Sequence, residues 1–271
     1  MKLRWVAALG LAGAALALLV GCGGGIATDE RHASFPVDGR PSIAADVPKG
    51  NISLTASVEA KEIAVTATIT VRGRSASEAA QELDRLPLTL TGELGEIVVR
   101  LDAEAGPIPE DVTVDLEITS PVDVDVALRT GRGDLYASGI SGTVIAHSQR
   151  GDVELRRMNA RVEATSARGT VVFRGRPADG ESMLRSSGGR VEVWFPNDAC
   201  LRIVAETTDG KIVGDNVVIR GSRTDTKWDA RTYCSSSGGG FAVESEPPAT
   251  VRATADPGNV YLVSWFNEED T

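Results

Sequence analysis

The segments VIAHSQRGDVELR (residues 144–156) and VEATSARGTVVFR (residues 162–174) superimpose position for position. Each alternates apolar residues, Val144 and Ala146 in the first and Val162 and Ala164 in the second, up to a serine, Ser148 or Ser166. A glycine follows three places later, Gly151 or Gly169, and the alternation resumes at Val153 and Leu155, or at Val171 and Phe173. Period-two alternation is the signature of a strand. A glycine between two such runs marks a tight turn, because without a Cβ it adopts backbone angles closed to other residues.

Outward from this pair, a hydroxyl residue three places before a glycine recurs at Thr130–Gly133, Ser186–Gly189, Thr207–Gly210 and Ser237–Gly240. An apolar residue two places beyond the glycine follows in Leu135, Val191 and Ile212, and one place early in Phe241. A looser last copy runs through Val251, Ala253, Ala255, Gly258, Val260 and Leu262. Units this short bury no core alone, but stacked in parallel each strand pairs with its equivalent in the next unit. The expected fold is therefore mainly β: a parallel, β-helix-like β-solenoid of about seven rungs. Val144, Val162 and Ile203 should share one inward column and Ala146, Ala164 and Ala205 another. The hydroxyls of Thr130, Ser148, Ser166, Ser186 and Thr207 should form a ladder at the corner, bonding the backbone of the turn. The preserved phase of the copies favours this over an antiparallel sandwich.

Residues 121–265 are assigned to the solenoid and residues 35–120 to an α+β cap over its open end. In the cap, Ile52–Val58 and Ile63–Val71 alternate as strands, and one helix is expected near 76–86, capped by Ser75 or Ser77 and stopped by Pro87. Leu88–Thr91 and Ile97–Leu101 form an expected hairpin, and Val112–Ile118 a further strand.

The N-terminus reads as an export signal over residues 1–21: Lys2 and Arg4, then an apolar run from Trp5 to Val20, too short for an ordinary membrane span. It ends in Leu19, Val20, Gly21 and Cys22, which resembles the bacterial lipobox. That resemblance implies cleavage after Gly21 and lipid chains, palmitate among them, on Cys22, tethering a lipoprotein to the cell envelope. Two or more chains give stable anchoring. With residue 23 a glycine and not an aspartate, the sorting rule of Gram-negative bacteria implies the outer membrane. Residues 22–34, opening on Gly23, Gly24 and Gly25, lack apolar periodicity and read as a flexible tether, and residues 266–271 as an acidic tail.

The 271-residue chain carries 28 Lys and Arg against 38 Asp and Glu, a formal charge of −10, and loses Lys2 and Arg4 with the signal. This balance argues against nucleic acid as a partner, since phosphate binding rests on clustered basic side chains. Apart from Cys22 the cysteines are Cys200 and Cys234, read as a disulfide in an oxidising compartment or as two buried thiols.

The chain resembles the bacterial putative-adhesin family, a β-solenoid domain of unknown function. The likeness covers roughly Phe35 to Val263 and rests on Gly50 with Ile52 and Leu54, the helix after Arg72, Ile118–Leu128 around Pro121, and Gly-Asp steps at Gly133 with Asp134 and Gly151 with Asp152. It implies adhesion or binding and brings no catalytic residue with it.

His32 and His147 provide too few ligands for a metal site, and no cofactor motif is present. His147, Ser148 and Asp152 make no triad, because neighbours on a strand point to opposite faces. The two Arg-Gly-Asp tripeptides, at Arg132 and Arg150, fall at equivalent turns and read as products of the repeat. Glu154, Glu163, Glu192 and Glu206, outward among arginines, read as cross-strand charge pairs. Trp228, Tyr233 and Phe241 lie in an insertion and read either as partner-binding groups for a protein or glycan or as a plug on the end of the rod; Trp265 and Phe266 share that ambiguity. The expected function is a noncatalytic, adhesin-like envelope module. The alternative is a structural or regulatory lipoprotein acting through assembly, and the third, more distant reading is a polysaccharide-active β-helix enzyme.

Overall fold

The alternating stretches are strands, and the protein is mainly β with one helix among the described residues. The structure, a computed structural model, describes residues 19–21, 24–86, 88–93, 95–101, 111–232 and 247–265. In chain order the first elements are β1 (Leu19–Gly21), β2 (Gly24–Pro36), β3 (Ser42–Val47), β4 (Ile52–Ala56) and β5 (Glu62–Gly73). The helix α1 (Ala76–Asp84) precedes β6 (Leu88–Glu93), β7 (Glu96–Leu101), β8 (Val112–Ser120), β9 (Asp125–Thr130), β10 (Leu135–Ser138) and β11 (Thr143–Ser148). Then come β12 (Val153–Ser166), β13 (Val171–Pro177), β14 (Gly180–Ser186), β15 (Val191–Pro196) and β16 (Leu201–Thr207). The last are β17 (Ile212–Asp215), β18 (Ile219–Arg223), β19 (Lys227–Thr232), β20 (Ala249–Ala255) and β21 (Val260–Trp265).

The strands join in one mixed sheet that folds into two halves, sheets I and II, with β12 passing from one to the other. Sheet I runs β1, β2, β5, β8, β4, β10, β12, β13, β15, β21, β17. Sheet II runs β6, β7, β3, β9, β11, β12, β14, β20, β16, β19, β18. The long middle of each is parallel and in register. Orientation is nevertheless mixed: β1–β2, β2–β5, β5–β8 and β6–β7 are antiparallel at one end, and β16–β19–β18 at the other. The side chains between the halves form one core of mostly Val, Ile, Leu and Ala, with Phe173 and Phe195 as its largest fully buried members.

The corners explain the repeat. A Cβ on Gly133 would lie 2.0 Å from the carbonyl oxygen of Gly50, one on Gly151 2.0 Å from that of Gly133, and one on Gly169 2.2 Å from that of Gly151. Glycine is the residue that allows each corner to sit directly on the next. The hydroxyl ladder is present: Thr130, Ser148, Ser166 and Ser186 donate to the carbonyls of Gly50, Gly133, Gly151 and Gly169 at 2.9, 3.0, 2.8 and 2.7 Å. These hydroxyls are buried, and each bond satisfies a group that would otherwise be costly to enclose.

Three expectations are corrected. The strand-pair units, or rungs, do not stack in sequence order: β20 lies between β14 and β16, and β21 between β15 and β17, so the C-terminal copy is inserted ahead of its predecessor. Every copy carries the same corner chemistry, so the repeat does not encode stacking order. The antiparallel hairpin β18–β19 also covers the outer edge of β16, leaving no place for a further rung there in sheet II. Val144 and Val162 are in register as expected, and Ile203 reaches their column only through Ser182 and Val251.

The second correction concerns the tether. Residues 24–36 form a strand paired with β5 from Gly25↔Gly73 to Pro36↔Glu62. Only Gly25, Ala27 and Phe35 of it are buried, so main-chain bonding, which leaves no hydrophobic period in the sequence, holds it in place. Helix α1 covers it closely; a Cβ on Gly25 would meet the Ala76 nitrogen at 2.0 Å. The helix itself is capped by Ser75, whose hydroxyl accepts from the Glu78 N–H at 3.2 Å, and it buries Ala79 and Leu83.

The third concerns the cap boundary at 121. Ser42–Ala56, assigned to the cap, contributes a full rung, β3 pairing with β9 and β4 with β10 in parallel. The signal up to Leu18, Cys22 and residues 266–271 lie outside the described residues.

Candidate binding surface

Strand alternation decides which side chains reach solvent. On sheet I, Tyr136 stands outward between buried Leu135 and Ala137, Trp194 between buried Val193 and Phe195, and Tyr261 between buried Val260 and Leu262. Trp265 has the same phase as Tyr261. Every described tryptophan or tyrosine outside the core therefore lies on the outer face of sheet I. The outer face of sheet II carries none.

The aromatic groups are held by polar neighbours. The Arg174 guanidinium carbon sits 4.5 Å from the centre of the Trp194 ring, a cation–π stack across adjacent strands β13 and β15. Trp194 Nε1 donates to Glu192 Oε2 at 3.3 Å, and Arg190 Nε donates to Glu192 Oε1 at 2.5 Å. Asn259 Nδ2 donates to the Tyr261 hydroxyl at 3.0 Å. In register, Tyr136, Glu154, Val172, Glu192, Tyr261 and Val213 form a continuous outward column across six strands. Glu154 is paired with Arg156 at 2.6 Å.

Of the sequence-derived candidates, Trp228 is 8% exposed. Its Nε1 donates to the Thr224 carbonyl at 2.9 Å, the Arg223 guanidinium lies 5.5 Å from its ring, and the ring abuts Gly214. It plugs the end of the core, and the partner-binding expectation for it is withdrawn on that burial. Tyr233, Phe241 and Cys234 lie outside the described residues. Cys200, immediately before β16, is disulfide-bonded.

The Arg-Gly-Asp acids serve the fold. Asp134 Oδ1 accepts the Asp152 N–H at 2.8 Å, and Asp152 Oδ1 accepts the Thr170 N–H at 2.7 Å. Asn51 and Asp115 continue this ladder, Asn51 Oδ1 accepting from Asp134 and Asp115 Oδ1 from Asn51. Outward carboxylates on sheet II are likewise paired: Glu206 with Lys227, Glu181 with Arg252, and Asp229 with both ends of the Arg202 fork. The Arg202 hydrogen bond holds Asp229 below the ordinary carboxylate range. A shallow depression of about 430 Å³ on this face includes Ile145, Arg161, Glu163, Glu181 and Met183. Among the described residues no group of three His, Cys, Asp or Glu is placed to hold a metal, and no helix is long and apolar enough to cross a membrane.

The outward aromatics were legible and passed over. An aromatic residue in the solvent phase of an alternating strand is the signal, and Tyr136, Trp194 and Tyr261 all carry it.

No protein-family model matches the chain, and no curated protein matches its sequence. Its fold does match solved structures. A protein from Clostridium sporogenes ATCC 15579 described as a putative cell adhesion protein is 13% identical, with a TM-score of 0.51 over 87% of this chain and 100% of that one. A putative adhesin from Bacteroides fragilis NCTC 9343 is 14% identical with a TM-score of 0.38, over 86% and 96% of the two chains. A putative lipid binding protein from Parabacteroides distasonis ATCC 8503 is 9% identical with a TM-score of 0.36, over the same shares. The resemblance expected from the repeat is thus matched by the Clostridium sporogenes structure, described as a putative cell adhesion protein, and at 13% identity the likeness shown is one of fold.

Proposed function

We propose that this chain is a noncatalytic binding module of the bacterial cell envelope: a parallel β-solenoid of seven rungs, held at the membrane by lipid on Cys22 and making contact through the outer face of sheet I. The observation that carries this is the gathering of Tyr136, Trp194, Tyr261 and Trp265 on one solvent-facing surface in a chain only 4% aromatic. Aromatic and arginine side chains supply large contact area at small entropic cost, which is why they dominate the energetics of binding surfaces. The adhesion-type description of the Clostridium sporogenes neighbour supports the same reading.

The test is genetic. In a deletion strain, the wild-type gene should restore attachment to surfaces or cells, and Trp194→Ala with Tyr261→Ala should not, at equal protein in the membrane fraction. Attachment unchanged by the double variant would refute the face. Cys22→Ser should release the protein from membranes and abolish labelling by fatty acid; retention of both would refute the anchor.

Assembly with envelope proteins is favoured by one observation on sheet II. There Val98, Ala44, Ala127 and Ile145 fall in one outward register, and Met183, 45% exposed, lies two strands beyond. Met183→Glu should then break a co-purifying complex while leaving attachment intact.

A further inference from the structure

We infer that the outer face of sheet I takes an uncharged polysaccharide, its sugar rings laid across the strands from Tyr136 to Tyr261. This rests on the reading of that face as the contact surface and adds the class of ligand. Charge is the first argument. In a chain with a formal charge of −10, the charges along the strands from Tyr136 to Tyr261 are met locally: Arg156 pairs with Glu154, Arg190 with Glu192 and Arg176 with Asp198, and Arg174 stacks on Trp194. Long-range attraction would select neither a polyanion nor a polycation here.

The second argument is the pairing of group types. One face of a pyranose ring presents C–H bonds whose hydrogens carry partial positive charge, which suits the negative face of an indole or phenol ring. The hydroxyls around its rim need acceptors and donors fixed in place. Glu192 is held by Arg190 and by Trp194 Nε1 itself, so an acceptor lies directly beside the ring. Asn259 orients the Tyr261 hydroxyl in the same way. Arg174 stacks on Trp194, which fixes the indole against the sheet before any ligand arrives and lowers the ordering cost of binding.

The third argument is dimension. From β10 through β12, β13 and β15 to β21 the face spans four strand steps of about 4.8 Å, or about 19 Å. Tyr136, Glu154, Val172, Glu192 and Tyr261 pair in register, so their outward side chains stand in one line across the strands that an extended chain of rings can follow.

The experiment is native electrophoresis of the full chain in detergent through gels containing hydroxyethylcellulose, xylan, starch or mannan, with polygalacturonate as the acidic comparison. At least one neutral gel should retard it. Trp194→Ala should abolish the retardation, and Tyr261→Ala should weaken binding about tenfold, the loss of one ring contact. Trp194→Phe, which keeps a ring, should retain it, separating ring loss from misfolding, and Arg185→Ala, an exposed position on the opposite sheet, should change nothing. If no neutral gel retards the protein while Trp194→Ala still destroys attachment, the glycan is refuted and the face stands. Retardation by polygalacturonate alone refutes an uncharged ligand. Retardation that survives Trp194→Ala refutes both the ligand site and the face.

Discussion

Thr207 donates its hydroxyl to the carbonyl oxygen of Gly258 at 2.6 Å, although 51 residues separate them. The bond has the same form as that of Ser166 to Gly151, and it ties the inserted C-terminal rung to the rung before it in sequence. Thr207→Val should lower unfolding free energy by about 1 kcal/mol in urea titration. The same change in a chain ending at residue 246 should have no such effect, since the acceptor is gone.

Gly151 has φ +148°, and a Cβ there would meet the Gly133 carbonyl oxygen at 2.0 Å. Gly39 has φ +81° with nothing within 4 Å of an added Cβ. Gly151→Ala should therefore cost roughly 3 kcal/mol or more, and Gly39→Ala about 1 kcal/mol. Equal melting temperatures for the two variants would contradict direct contact between the corners.

Asp152 offers its Oδ1 to the Thr170 N–H. Asparagine preserves that acceptor and alanine removes it. Asp152→Asn should be nearly neutral, whereas Asp152→Ala should lose about 1 kcal/mol, read as a shift in the thermal midpoint. Were this aspartate reserved for recognition by a partner, both would leave stability unchanged.

Asp125 accepts from the Thr143 N–H at 2.8 Å and from Arg40 Nη2 at 2.7 Å. Burial pushes its carboxyl up, but those donors outweigh it and leave it below the ordinary value. A depressed folded-state value means stability that is fully present above the unfolded carboxylate range and lost as pH falls through the folded value. Asp125→Asn should flatten the acid limb of the stability curve, with little change near neutral pH in its slope. The opposite slope would reverse the sign of the shift.

Cys200 is disulfide-bonded, and the partner we propose is Cys234. Non-reducing peptide mapping should recover a fragment joining the two. Reduction should cost about 3–4 kcal/mol in the chain-entropy account, since the closed loop is long. A fragment joining Cys200 to any other chain would overturn the pairing.

The corner and the inward columns were legible because one physical rule, alternation interrupted by glycine, repeats with its phase preserved; Ser148, Ser166 and Val162 fall where that rule puts them. Strand β2 was not legible, because an edge strand held by main-chain bonds to β5 writes no pattern into its side chains. Stacking order was not legible either, since Gly189, Gly210 and Gly258 are chemically alike and only register distinguishes them. The aromatic face is written in the sequence as Tyr136, Trp194 and Tyr261, each in the solvent phase of its strand, whereas the place of Trp228 in an insertion fits a binding group and a plug equally, and only its contacts decide for the plug.

The insertion of β20 and β21 has a consequence for how the molecule comes into being. A chain synthesised from its N-terminus delivers β16 and β17 before the layer they rest on exists. The distal third must wait, unsealed, until residue 265 has emerged. A nascent chain stalled just short of that point should be open to protease at β16 and β17 yet resistant from β9 to β15, and a stop codon there should remove two layers of the stack at the cost of one.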